Sequence, residues 1–206
     1  MEDINRLNSA RRHLQEGRVA DAILEYMELA QQGSAEAAYR LGIIHQTGRS
    51  VSKDITRAIE YYLLGHERGN ALSTYFLAGI YWHEFKIEEA LALYKSIANK
   101  NPSAAFWAFR CLRKLANGQK ELEEEAERYL FQAKTLGHVE AIWFLSIQTA
   151  RGKYGLKNIP AGISQIFSFV GAGQRSIRNR EWMKCRDSMH RIGFKMYAKR
   201  IAQGKT

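Results

Sequence analysis

The sequence predicts an all-α fold, a right-handed α-α superhelix of about four to five helix-turn-helix repeats. Three observations predict it. Gly33, Gly69, Asn101, Gly137 and Gly173 recur at intervals of 36, 32, 36 and 36 residues. Between these markers the apolar residues follow a helical period, with no strand-like alternation. Small and large side chains also return in fixed columns, as stacked copies of one helix pair require.

The columns define each element in turn. Ala37, Ser73, Ala105 and Ala141 stand four residues after the markers, and Leu41, Leu77, Phe109 and Leu145 eight after. They assign Ala35–Thr47 and Asn70–His83 to first helices. Second helices follow at Ile55–Arg68, Ile87–Ala98 and Leu122–Leu136, with Ala58, Ala90, Ala126 and Gly162 as their small column. Tyr62, Tyr94, Leu130 and Ile166 come four residues later. Small residues are needed where two helix backbones cross closely, and the larger columns fill the flanking gaps. Gly and Asn tolerate left-handed backbone, so the markers are expected to be C-caps. Asp54 and Asn158 are placed to cap second helices, with Pro160 inside a first turn. The first unit is partial: Ile4–Gln15, a tight Gly17-Arg18 turn, then Val19–Gln32, with Ala22 and Tyr26 lying 36 residues before Ala58 and Tyr62.

Composition narrows the function. A chain of 206 residues is ample for a substantial core. Its longest apolar run falls far short of the roughly 18 residues of a membrane span, and the charged start MEDINRLNSARRHLQEG argues against a secretory signal. Two cysteines, Cys111 and Cys185, make neither a disulfide framework nor a four-ligand zinc site. A cytoplasmic protein is therefore expected. The net charge of +10 is uneven: residues 1–150 carry 18 Lys+Arg against 19 Asp+Glu, and residues 151–206 carry 13 against 2.

The segment Ala35–Gly69 resembles a Sel-one-like repeat (SLR), through Ala37, Leu41, Gly42, Gly48, Val51, Asp54, Ala58, Tyr61, Tyr62 and Gly69. His45 stands where that pattern has Tyr, and Gly65-His66 replaces the common Ala-Ala. Gly137–Gly173 resembles the pattern more loosely, through Ala141, Leu145, Gly152, Asn158 and Gly162. The 32-residue unit has lost its inter-helix loop and is closer to a tetratricopeptide unit. In the third unit Arg110 replaces a small residue and Arg113 an aromatic. The resemblance, over roughly Arg18–Gly173, implies an α-solenoid that acts as a protein-interaction scaffold.

Such scaffolds bind along the wall made by their first helices. The column two residues before the core Leu reads Tyr39, Tyr75, Trp107 and Trp143, and lies about 200° around the helix from that Leu. Trp82 follows Tyr75 on the same face. Resemblance to tetratricopeptide repeats makes these five the partner-groove candidates, anchors for an extended peptide or a helix. Packing against the preceding repeat is the other reading of the column. Glu121, Glu123, Glu124, Glu125 and Glu127 read as a solvated helix face, with a basic partner or contact with the chain's own basic tail as the alternative.

Residues 1–173 are thus assigned to the repeat array and 174–206 to a basic C-terminal capping helix. Trp182, Cys185, Met189, Ile192 and Met196 form an apolar stripe for docking on the last repeat. Arg180, Lys184, Arg191 and Lys195 share a face that suits nucleic acid, an anionic membrane or an acidic protein patch. No phosphate-binding loop, GxSxG, HExxH or CxxC occurs, and the six His show no metal-ligand spacing. His45 reads as a satisfied core or inter-repeat histidine, and both cysteines as packed thiols. The expectation is a non-catalytic scaffold or adaptor for a protein or peptide, with no metal or cofactor. The alternative is an adaptor recruited to nucleic acid or an anionic membrane through the basic tail.

Overall fold

A computed structural model describes residues 2–49, 51–155, 158 and 160–165. Among the described residues there is no strand, and nine α-helices follow one another: α1 Glu2–Gln15, α2 Val19–Gln31, α3 Ala35–Thr47, α4 Ile55–Glu67, α5 Ala71–His83, α6 Ile87–Ile97, α7 Pro102–Leu115, α8 Lys120–Thr135 and α9 Val139–Ala150. Residues 160–165 are also helical. The fold is an all-α solenoid. The chain divides into two compact units, Met1–Gln132 and Ala133–Thr206.

In the first unit each helix from α1 to α6 packs against the next, and α3 also reaches α5. Contact between alternate helices is what stacking of helix pairs produces. The second-helix columns are buried as the repeat predicts: Ala22, Ala58, Ala90 and Ala126, then Tyr26, Tyr62, Tyr94 and Leu130, all at most 1% exposed. Gly42 lets α3 and α4 approach, because a Cβ there would lie 2.5 Å from the Tyr62 ring. On the other side of α6, Lys95 pairs with Glu125 of α8 at 2.7 Å, and Gln132 Nε2 donates to the Ala98 carbonyl at 3.2 Å.

The helix ends revise one part of the repeat register. Gly33 and Gly69 have φ of +105° and +78° and close their helices as expected. Asn101 does not: its φ is −119°, and its side chain accepts from Ala104 N as the N-cap of α7. Its counterparts are the N-caps Ser34, Asn70 and, in the second unit, His138, which accept from Ala37, Ser73 and Ala141. The span from second-helix alanine to the next N-cap is one residue shorter here, 11 for Ala90–Asn101 against 12 for Ala22–Ser34 and Ala58–Asn70. Asn101 N bonds the carbonyl four residues back, whereas Ser34 and Asn70 bond the carbonyl five back past a left-handed glycine. From N-cap to second-helix alanine, the span is longer by one in compensation, 25 residues for Asn101–Ala126 against 24 for Ser34–Ala58.

In the second unit, Gly137 at φ +86° precedes the His138 cap of α9. Gly162 occupies the small column for the expected reason, since a Cβ there would lie 2.5 Å from the Ala150 backbone nitrogen. The Asn158 amide donates to the Tyr154 carbonyl at 2.6 Å. Ile166 and the expected capping helix at 174–206 lie outside the described residues.

Candidate protein-interaction surface

The one-residue shift moves an aromatic ring between columns. Counting from the N-caps, the column of Tyr39 and Tyr75 continues as Phe106, and Trp107 matches Phe76. Ring contacts agree. Phe76 stacks on Tyr62 at 5.8 Å and 13°, and Trp107 stacks on Tyr94 at 6.0 Å and 15°. Each is a first-helix ring lying on the tyrosine of the preceding second helix.

The five groove candidates therefore occupy different places. Tyr39 is 7% exposed, with its ring 5.8 Å from Phe76 and 6.4 Å from Tyr62 of its own partner helix. It was expected to face away from that helix; it is part of the inter-repeat core, because α4 and α5 both close over it. Tyr75 is half-buried, edge-on to Tyr94 at 5.7 Å. Trp82 of α5 and Trp107 of α7 are half-buried and meet edge to face at 5.3 Å and 68°. These two rings join the first helices of successive repeats. Trp143 is half-buried on α9 of the second unit.

Three residues not singled out as contacts surround the tryptophan pair. Arg110 sets its guanidinium 4.3 Å over the Trp107 ring and 5.4 Å from that of Trp82. Lys114 places Nζ 5.2 Å from the Trp82 ring and 4.8 Å from Phe85. Trp107, Arg110 and Lys114 share a face of α7 by their steps of three and four, a spacing from which the cluster was readable. Phe85, in the α5–α6 turn, is 77% exposed.

Comparison with known proteins agrees with this architecture. Residues 35–70 match the Sel1 repeat family model. A Sel1 repeat protein from Oxalobacter formigenes is 20% identical with a TM-score of 0.67, the match covering 93% of this chain and 80% of that one. Residues 35–70 are thus a Sel1 repeat. A second similar structure is c5321, a protective antigen of uropathogenic Escherichia coli strains with an SLR fold, at 24% identity and a TM-score of 0.58. That match covers 70% of this chain and 32% of the antigen. No curated protein matches the chain.

Elsewhere the first unit carries a cavity of about 330 Å³ between α2, α3 and α4, lined by Ile23, Met27, His45, Asp54, Arg57 and Tyr61 among others. His45 is buried and stacks on Tyr61 at 5.5 Å and 15°. It is not the satisfied histidine expected from the sequence, since its buried Nδ1 has no hydrogen-bond partner among the described residues. Burial pushes its pKa below the ordinary value, helped by the Arg57 charge and opposed by Asp54. Burial also pushes the Cys111 thiol up to about 12, so it stays protonated at neutral pH. Among the described residues no three His, Cys, Asp or Glu side chains group to hold a metal. None of the described helices is long and apolar enough to cross a membrane. Arg180, Lys184, Arg191 and Lys195, with Cys185, lie outside the described residues.

Proposed function

We propose that the chain is a non-catalytic scaffold that holds a protein partner on the wall formed by its first helices. Sel1 repeat proteins generally mediate protein–protein interactions. The observation that carries the finer reading is the half-buried Trp82–Trp107 pair bridging α5 and α7. Aromatic anchors of this kind, partly packed and partly accessible, carry much of the energy of protein interfaces. Tyr75 adjoins the pair in the first unit, and Trp143 is the corresponding contact residue of the second. Tyr39 is withdrawn from the contact set because its ring is buried. Capture of the partner from native extract tests the reading. Alanine at Tyr75, Trp107 and Trp143 is expected to abolish recovery while circular dichroism stays helical. Unchanged recovery by a folded variant overturns it.

A second reading is favoured by charge. Residues 151–206 carry 13 Lys+Arg against 2 Asp+Glu, and a basic helix through Arg180, Lys184, Arg191 and Lys195 would recruit the scaffold to nucleic acid or an anionic membrane. Binding to either is then steeply salt-dependent and lost on truncation after Gly173. A truncated protein that unfolds makes 174–206 the structural cap of the array. Residence in the cytoplasm belongs to the same proposal.

A further inference from the structure

We infer that Trp82, Phe85, Trp107, Arg110 and Lys114 form a docking site for an acidic-apolar peptide segment, its carboxylate held by Arg110 and Lys114 and its apolar side chain lying on Phe85 and Trp82. The inference rests on the scaffold reading above and specifies the chemistry of the partner.

Two turns of the same construction expose the first argument. Glu16-Gly17-Arg18 joins α1 to α2, and Glu84-Phe85-Lys86 joins α5 to α6. Arg18 N bonds the His13 carbonyl at 2.8 Å, and Lys86 N bonds the Tyr81 carbonyl at 2.9 Å. The N-caps share backbone angles, φ −82° and ψ 67° for Arg18 against −81° and 72° for Lys86. Each turn is spanned by an ion pair, Arg18–Glu16 in one and Lys86–Glu84 in the other. The middle residue is left-handed in both, Gly17 at φ +79° and Phe85 at +63°. Glycine adopts that conformation without strain, whereas a bulky residue does not. Phe85 thus keeps a strained backbone and exposes its ring where the same chain elsewhere uses glycine. Strain of this kind concentrates at ligand-binding positions.

Charge supplies the second argument. Arg110 and Lys114 are exposed and lie over aromatic faces, and among the described residues neither pairs with a carboxylate, whereas neighbouring Lys86 is held by Glu84 at 2.8 Å. An arginine stacked on Trp107 keeps its edge N–H groups available, and that planar fork matches a carboxylate. The ring beneath fixes it in advance. A peptide is favoured over a nucleic acid because α8, beginning six residues after Lys114, exposes Glu121, Glu123 and Glu124. A polyanion extending from the patch meets that like charge; a short acidic segment does not.

The test uses the full chain, so that the basic tail is common to every comparison. Its probes are a short synthetic peptide alternating Glu with Leu and Phe, the same peptide with Gln for Glu, and an oligothymidylate. The readout is the indole N–H resonances of Trp82 and Trp107. The Glu peptide is expected to shift both, with the Gln peptide about tenfold weaker. Arg110→Gln with Lys114→Gln is expected to weaken the Glu peptide about tenfold. Phe85→Gly is expected to weaken it about fivefold without lowering the melting temperature. Equal binding of the two peptides, or no effect of these substitutions, overturns the inference; so does an oligonucleotide that moves the two indoles more than the peptide does. If the carboxylate dependence fails while the Tyr75, Trp107 and Trp143 substitutions still abolish partner capture, only the assigned chemistry falls. If capture is also unaffected, the wall reading falls with it.

Discussion

The α3–α4 pair and the α5–α6 pair are built on one interior and two different exteriors. Both bury an alanine and a tyrosine in the second helix, Ala58 with Tyr62 and Ala90 with Tyr94. Their connections diverge. The first ends α3 on left-handed Gly48 and runs through a loop to Asp54, whose carboxylate accepts from Arg57 N at 3.0 Å. The second drops that loop for the Glu84-Phe85 turn. In α3–α4, Gly42 serves close packing and the unusual residue, His45, turns inward to stack on Tyr61. In α5–α6 the unusual residue, Phe85, faces outward. The solenoid thus holds its helix crossings fixed and varies its connections, which is where a repeat acquires a property its neighbours lack.

The shared interior predicts the largest effect. Tyr62→Ala and Tyr94→Ala each remove a fully buried ring and are expected to cost about 3–5 kcal/mol in urea unfolding. Tyr62 also loses its 2.6 Å hydrogen bond to Gln46, so it should be the costlier of the two. A loss below about 1 kcal/mol at either site breaks the claim of a common core.

Glycines in the first helices sharpen the contrast at the next magnitude. A Cβ at Gly42 meets the Tyr62 ring at 2.5 Å, whereas one at Gly79 meets only the Tyr94 hydroxyl, at 3.6 Å. Gly42→Ala is therefore expected to destabilise by about 1–3 kcal/mol despite its better helix propensity. Gly79→Ala is expected to stabilise by about 0.5–1 kcal/mol. Thermal melting of the two variants should move in opposite directions; a shift of the same sign defeats the comparison.

The interior was legible in the sequence because each of its columns has a single physical solution. A small residue must stand at a helix crossing, so Ala22, Ala58, Ala90 and Ala126 are readable by spacing alone. The junction at Asn101 was not. Asparagine serves both as a left-handed C-cap and as an extended N-cap, and only the backbone angle separates them. That ambiguity put Trp107 in the Tyr75 column and hid its true counterpart, Phe76. Tyr39 misled for a related reason: an angle around one helix does not say which neighbouring helices close over it. Phe85 escaped notice because its significance lies in a comparison with Gly17, and the matched Glu-x-Arg and Glu-x-Lys flanks were the available signal.

Those matched turns give a smaller, reciprocal prediction. Phe85→Gly relieves left-handed strain and removes an exposed ring, and is expected to stabilise the chain by about 1 kcal/mol. Gly17→Phe imposes the same strain and is expected to cost about the same. Paired denaturation curves check both. If Phe85→Gly destabilises instead, the ring is held by packing and the case for its exposure serving a ligand weakens.

The weakest expected effect concerns His45, for which α5–α6 has Tyr81 at the matching position. The ring is buried against Tyr61, with Arg57 and Asp54 as the charged groups facing it across the cavity. Burial, then Arg57, lowers its folded pKa below the ordinary 6.5, with Asp54 partly offsetting them. The unfolded chain therefore binds more protons than the folded one once pH falls to that range. Linkage makes the stability from His45 fully present above about pH 6.5 and progressively lost as pH drops through it. His45→Phe keeps a ring for Tyr61 and removes the titration. The difference in urea midpoint between about pH 8 and about pH 5 should thus be smaller in the variant than in the parent. The other five histidines contribute equally to both curves and cancel. An equal pH dependence in the two proteins means that His45 enters the fold without a proton penalty, through a partner for Nδ1, and the contrast with Tyr81 is then one of shape alone.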